Sequence, residues 1–140
     1  FMTEVDACID IAKSLHVIES VTFHGHVTHQ QLKSFYENTD ICVMLSQTTQ
    51  TGDVEGFGIA LIEANHFGLP TIGAKGCGIE DAVSNDKSGL LVDGHDSKAF
   101  LDAVTTILDN KPTYEMGAKS WSELHQWQHI IKHYIDFIDS

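Results

Sequence analysis

Basic residues are scarce in this 140-residue chain: eight Lys+Arg stand against twenty Asp+Glu, for a net charge of −12. That balance argues against nucleic acid and anionic membrane surfaces as partners, because both are gripped by Lys and Arg. It leaves room for a small anion held by backbone N–H groups. Long apolar runs are missing as well. The longest, Ile41 to Leu45, is far short of the ~20 residues a membrane span needs, and the opening FMTEVDACID has no apolar core of a signal peptide. Cysteine is confined to Cys8, Cys42 and Cys77, an odd number without a C-x-x-C. These read as free thiols in a reducing, cytoplasmic compartment. No internal repeat and no low-complexity tract is found. What is present is a 42% hydrophobic, 20% charged composition, enough for a globular core in one domain or one piece of a larger one.

Strand and helix patterns alternate along the chain. Val5, Cys8, Ile9, Ala12 and Leu15 mark a helix face. Val21 to His24 is a short β-rich run ending at Gly25. Thr28, with Gln31 three residues on, forms a capping box for a helix that turns Leu32, Phe35 and Tyr36 inward. Asp40 to Leu45 is almost wholly apolar and suits a strand buried on both faces of a parallel sheet. The polar stretch 46–54 is long for a strand-to-helix connection, and such loops are often functional or mobile. A helix then runs from Ile59 to about Phe67, ended by Gly68 and Pro70. Strands follow at Thr71 to Gly73 and Gly89 to Val92, separated by the Gly76-Cys77-Gly78 turn and a short helix through Val83. Asp96 or Ser97 caps a helix with Phe100, Ala103, Val104, Ile107 and Leu108 on one face. Ser120-x-x-Glu123 reads as a second capping box, opening a last helix with Leu124, Trp127, Ile131, Tyr134, Ile135 and Ile138 inward. Four strands alternating with helices imply βαβ units, hence an α/β, Rossmann-like parallel sheet with helices on both faces. The first helix has no strand before it, so a domain truncated at its N-terminus is expected.

Ligands of open α/β sheets bind outside the carboxyl ends of the strands. The turn after Phe23, the loop after Leu45 and the turn after Gly73 belong at that edge. Glu55-Gly56-Phe57-Gly58-Ile59 is the most informative stretch, because it places two glycines at a helix start. Glycine allows close backbone approach to a ligand, and helix N-terminal N–H groups attract phosphate. Glu55 and Glu63, eight residues apart, span about 12 Å along a helix axis, or less if Glu55 precedes the helix. That is near the length of a nucleoside diphosphate-sugar between ribose and hexose, and carboxylates accept hydrogen bonds from vicinal diols. Taken alone, the glutamate pair reads as a solvated helix face. The glycines, which cost ~1 kcal/mol each inside a helix, and the apolar neighbours Ile62 and Ala64, which would set Glu63 against packed residues, bring a phosphate-ligand site level with that reading.

Asp53 to Gly73, DVEGFGIALIEANHFGLPTIG, resembles the signature of the retaining GT-B glycosyltransferases of family 4, the glycosyl transferases group 1 domain. The E-x7-E and A-x3-G-x-P pattern is met by Glu55, Glu63, Ala64, Gly68 and Pro70. Val21 to Gly25 is similar to the family's V-x-F-x-G strand, and Asp40 to Ser46 to its D-I-x-V-x-P-S strand, with Leu45 in place of Pro. Gly76 to Val83 is similar to G-G-I-P-E-V-V, with Cys77, Glu80 and Asp81 as departures. Ser88 to Val92 is similar to T-G-L-L-V.

The resemblance covers roughly residues 5 to 135. It implies the donor-binding, C-terminal half of a GT-B fold. The intact enzyme would move a hexose from a UDP- or GDP-sugar to a glycan, lipid or small acceptor with retention. Glu55 would act at the donor sugar and Glu63 bind the ribose. The backbone of Gly56, Phe57, Gly58 and Ile59 would cradle sugar and diphosphate, and Gly25, His26 and Val27 would lie beside the nucleobase. An acceptor-binding domain and a diphosphate-binding Arg/Lys pair are expected upstream. Residues 1–140 alone would then be inactive, and the helix at about 120–138 would pack on the upstream domain. The intact enzyme is expected in the cytoplasm or peripheral on the inner face of the membrane.

No cofactor is expected beyond the nucleotide-sugar substrate. His24, His26 and His29 form no standard ligand set, so no metal is expected and they read as strand and loop histidines. Cys77 between two glycines suits turn packing better than a reactive thiol, since no paired histidine accompanies it. Gly56-Phe57-Gly58 lacks the third glycine of a dinucleotide fingerprint. Asp40 precedes its strand, which excludes a phosphoryl receiver. A non-catalytic nucleotide-binding domain and a UDP-sugar epimerase of GT-B architecture are the alternatives.

Overall fold

The structure, a computed structural model, describes residues 4–48 and 51–138. Thr49 and Gln50, in the expected 46–54 loop, lie outside the described residues. The chain divides into two compact units, Phe1–Leu32 and Lys33–Ser140.

The first unit holds helix α1 (Glu4–Ser14), a single 3-10 turn at Ile18–Ser20 and the start of helix α2 (His29–Asn38). Of the expected α1 face, Ala12 is buried and Ile9 half-buried, while Val5, Cys8 and Leu15 are exposed. His16 ends the helix at φ 57°, with Val17 N–H donating to Ala12 O at 2.9 Å, a left-handed cap made by a non-glycine. The capping box of α2 is present: Thr28 N–H donates to Gln31 Oε1 at 2.9 Å and Gln31 N–H to Thr28 Oγ1 at 3.3 Å. Val21 to His24, expected as a strand, is not one. A strand needs a ladder partner for its backbone groups, and among the described residues the sheet ladder comprises β1, β2 and β3 without this stretch.

The second unit is built on three parallel strands in the order β1 (Cys42–Met44), β2 (Thr71–Ala74) and β3 (Gly89–Val92). The helices between and after them are α3 (Ile59–His66), α4 (Ile79–Ala82), α5 (Ser97–Asp109), α6 (Lys111–Leu124) and α7 (Trp127–Ile138). Period-two alternation divides the sheet into two faces. On one, the Met44–Gly73–Leu91 row meets α3 and α4 through Leu61, Ile79, Ala82 and Val83. Gly73 is required there, because a Cβ would lie 2.6 Å from Ile79 Cγ2. On the other, Ile72, Leu90 and Val92 pack with Ala103, Ile107 and Tyr114 of α5 and α6. β1 is shorter than the apolar run that announced it, and Val43 is 44% exposed. The strand is therefore not buried on both faces.

Asp96 caps α5, accepting from Ala99 N–H at 2.9 Å. The Ser120 capping box does not form. Ser120 sits inside α6, which starts nine residues earlier with Pro112 in its first turn, where a missing N–H is harmless. Tyr114, Ala118 and Ser122, four apart, carry the buried stripe of α6. Lys111 at its start pairs with Asp40 at 2.7 Å, just ahead of β1. The last helix begins only at Trp127, and its apolar side chains do not point inward: Trp127, Ile131, Tyr134, Ile135, Phe137 and Ile138 are all exposed.

Candidate functional site

The carboxyl ends of the three strands carry the candidate site. After β1 the chain returns through Glu55-Gly56-Phe57-Gly58 into α3. Gly58 is the N-cap at φ 86°, ψ 51°, a left-handed conformation that costs an L-residue roughly 1–2 kcal/mol. After β2 comes the Gly76-Cys77-Gly78 turn, and the two turns interlock. Gly78 N–H donates to Glu55 O at 3.0 Å. A Cβ on Gly78 would stand 2.0 Å from Gly56 O, so only glycine admits this approach. Cys77 directs its thiol at Ser46 O, 3.5 Å away, which makes it part of the turn packing. Gly76 N–H donates to the Glu80 carboxylate.

Glu55 lies four residues before α3, so the two glutamates do not share one helix. Its carboxylate turns back and accepts from Gly58 N–H at 3.3 Å, occupying one of the amides at the helix start. Phe57 is half-buried. It meets His125 at 5.9 Å between centroids, and His125 meets Trp121 edge-on at 4.6 Å. Trp121 Nε1 donates to Ala82 O at 2.9 Å, so the corner between α6 and α7 braces the turn from behind. Ile59, the first residue of α3, is exposed.

Glu63 was expected against packed residues and is instead exposed. Only its neighbour Ala64 is buried; Ile62 is half-buried. Tyr36 Oη lies 3.5 Å from Glu63 Oε2. Burial chiefly, then the negative charge of Cys42 and of Glu63, pushes the Tyr36 phenol up to about 12. Cys42 is itself pushed up by burial to about 11.

Beside the interlocked turns lies a polar pocket of about 410 Å³ lined by Gln47, Thr48, Lys75, Gly76, Asp93 and His95. These residues follow all three strands in turn. A Cβ on Gly94 would reach within 2.4 Å of Gln47 Nε2, so the β3 loop approaches the end of the Gln47 side chain from the β1 loop. The sequence contains no arginine, and Lys75 is the cation of the pocket. Sequence reasoning passed over Lys75, Asp93 and His95, although each stands just beyond a strand it had located. Trp121 and His125 were also missed as braces of the turn.

The structure thus brings together Glu55, Gly56, Phe57, Gly58, Ile59 and Glu63. Gly25, His26 and Val27 belong to the first unit, where Gly25 takes φ 59°, His26 is exposed and Val27 half-buried. Among the described residues no group of three His, Cys, Asp or Glu is placed to hold a metal ion. Among them also, no helix is long and apolar enough to cross a membrane.

Comparison with known proteins gives three consistent findings. The family described as glycosyl transferases group 1 matches residues 3–120. A GDP-mannose-dependent alpha-(1-6)-phosphatidylinositol monomannoside mannosyltransferase of Mycobacterium tuberculosis is 32% identical over 133 residues, 91% of this chain and 34% of the relative. Among solved structures, sucrose-phosphate synthase from Thermosynechococcus elongatus superposes with a TM-score of 0.77 at 24% identity, over 96% of this chain and 33% of that one. The Anabaena protein HepE in complex with UDP and glucose gives 0.72 at 20% identity, over 86% and 31%. The fold is that of the C-terminal half of a GT-B enzyme. The chain spans about a third of the length of the relatives it matches.

Proposed function

The chain belongs to the glycosyl transferases group 1 family, and we propose that it is the nucleotide-sugar-binding part of a retaining hexosyltransferase. The observation that carries this is the interlocked pair of turns at the carboxyl edge. A glycine-capped helix start stands there between two glutamates, where backbone amides and the helix dipole favour a diphosphate.

In this proposal Glu63 binds the donor ribose. Glu55 leaves Gly58 N–H to the ligand and takes hydroxyls of the transferred sugar. The backbone from Gly56 to Ile59 holds sugar and diphosphate, and Gly25, His26 and Val27 serve the base. Amides aimed at the leaving diphosphate stabilise the charge it gains in the transition state. The GDP-mannose of the mycobacterial relative and the UDP of the Anabaena structure support a UDP- or GDP-hexose as donor. The acceptor is a glycan, lipid or small molecule held by a further domain of the intact protein, and residues 1–140 alone turn over no donor. No metal takes part. Three free thiols support a cytoplasmic location, and a lipid acceptor would bring the enzyme to the inner face of the membrane.

Steady-state kinetics of the intact protein test the assignment. Glu63→Ala removes hydrogen bonds made equally in ground and transition states, which appear in KM rather than kcat. Bonds to a charged acceptor are worth ~1.5–3 kcal/mol, so donor KM should rise roughly 10- to 100-fold with kcat nearly unchanged. Glu55→Ala should lower kcat as well, because the hydroxyls it meets move as the sugar ring flattens. If Glu63→Ala leaves both constants within error, Glu63 is a solvated helix residue and the donor site is wrongly placed.

A further inference from the structure

Glu63 presents a problem as a binding group. It is exposed on α3, and a free glutamate side chain loses up to ~2 kcal/mol of rotamer entropy when a ligand fixes it. A site that binds well fixes it beforehand. The structure supplies one side chain placed to do so, from an element 27 residues away.

Tyr36, in the part of α2 that belongs to the second unit, lies with its ring stacked on Phe67 just beyond the end of α3. The centroids are 5.5 Å apart and the planes 28° from parallel. Phe67 is in turn met edge-on by His66, at 5.5 Å and 88°. The phenol ring is therefore clamped over the helix that carries Glu63, and its hydroxyl ends 3.5 Å from Glu63 Oε2. We infer that Tyr36 is a positioning residue for Glu63, its clamped hydroxyl donating to one carboxylate oxygen so that the other faces the ribose diol.

At 3.5 Å the bond is longer than the about 2.5–3.0 Å of a formed O–H···O contact. The pair is poised, and it closes as Glu63 orders on the ligand. A carboxylate offers about four acceptor positions, so one taken by the phenol leaves enough for two ribose hydroxyls. The phenol keeps its proton well beyond neutral pH, so it is always a donor. The ring stack on Phe67 persists without the hydroxyl, which makes Tyr36→Phe a clean probe.

The inference rests on the donor role of Glu63, and the experiment separates the two. Donor KM and kcat are measured on the intact protein as wild type, Tyr36→Phe, Glu63→Ala and the double variant. Binding of UDP and GDP is compared with binding of their 2′,3′-dideoxy forms. Tyr36→Phe should raise donor KM roughly 3- to 10-fold, the loss of one hydrogen bond, with kcat and Tm unchanged. The effect should vanish in the Glu63→Ala background and on the dideoxy nucleotides. If Glu63→Ala raises KM but Tyr36→Phe does not, or if Tyr36→Phe weakens dideoxy binding as much as ribose binding, the positioning role is overturned and the donor site stands. If Glu63→Ala itself has no effect, both fall.

Discussion

Helices α3 and α7 are both rich in apolar residues and meet opposite fates. In α3, Leu61, Ala64 and Asn65 are buried, against β1 and β2 on one side and α6 on the other. A helix that is apolar nearly all round belongs in a core. In α7 the apolar residues Trp127, Ile130, Ile131, Tyr134, Ile135 and Ile138 recur at helical spacing along one stripe, yet none of its described side chains is buried. Periodicity reports that a helix forms and which face is apolar. It does not report whether the covering surface lies within the same stretch of chain. α3 carries the candidate site on a packed base, and α7 displays a surface that the described residues leave open.

The largest difference should appear on truncating the core side of this pair. Leu61 is fully buried among Ala74, Ile79, Ala82 and Val83. Leu61→Ala should cost about 2–5 kcal/mol, the transfer of the lost methyl groups plus the cavity they leave. Urea unfolding of the chain measures it. A cost below 1 kcal/mol would mean that the sheet face under α3 is loosely packed, and the contrast with α7 would disappear.

The packed side should also be the alkali-sensitive side. Cys42 and Tyr36 have folded pKa values raised from 9.0 to about 11 and from 10.0 to about 12. In both, the neutral protonated form is favoured by folding. Their stabilising contribution is complete below pH 9. It is lost as pH rises through 9–11 for Cys42 and 10–12 for Tyr36. At ~1.4 kcal/mol per pK unit, Cys42 contributes on the order of 2 kcal/mol. Tyr36, more open to solvent, contributes less. Unfolding free energy followed from pH 8 to 11 should be level at first and then fall. Cys42→Ser should flatten the earlier part of that decline, and an undiminished fall in that variant would show that another group governs it.

What was legible in the sequence follows the same division. Local signals that act through the backbone were readable. Asp96 caps α5, Thr28 and Gln31 cap α2, and Gly68 ends α3 at φ 80°. The glycines at 56, 58, 76 and 78 marked where two turns come together. Signals that need a distant partner were not readable. Val21 to His24 has the composition of a strand but joins no sheet ladder among the described residues. Ser120 and Glu123 have capping-box spacing, but Pro112 starts the helix earlier and the buried stripe of Tyr114, Ala118 and Ser122 carries it through. Tyr36 meets Glu63 across 27 residues, and Phe57 meets His125 across a still longer separation. No spacing rule within one element finds such pairs.

The smallest expected effect is the most telling for α7. Trp127 is 75% and Phe137 80% exposed, so Trp127→Ala should change the stability of the 140-residue chain by about 0.5 kcal/mol or less, the usual range for surface substitutions. We propose that the stripe packs on a further domain of the intact protein, whose relatives are about three times as long. There a buried aromatic would cost about 3–5 kcal/mol when truncated to alanine. The same substitution measured in both contexts therefore gives two numbers, and their difference is the contribution of the covering surface. Binding of a hydrophobic dye offers a second reading, because an uncovered apolar stripe of this kind marks an interaction site. The 140-residue chain should bind the dye, and Trp127→Ala should reduce it, while the intact protein should bind little. Equal, near-zero costs in both contexts would show that α7 stays solvated in the whole protein. The contrast with α3 would then be a property of two helices rather than of two halves of a protein.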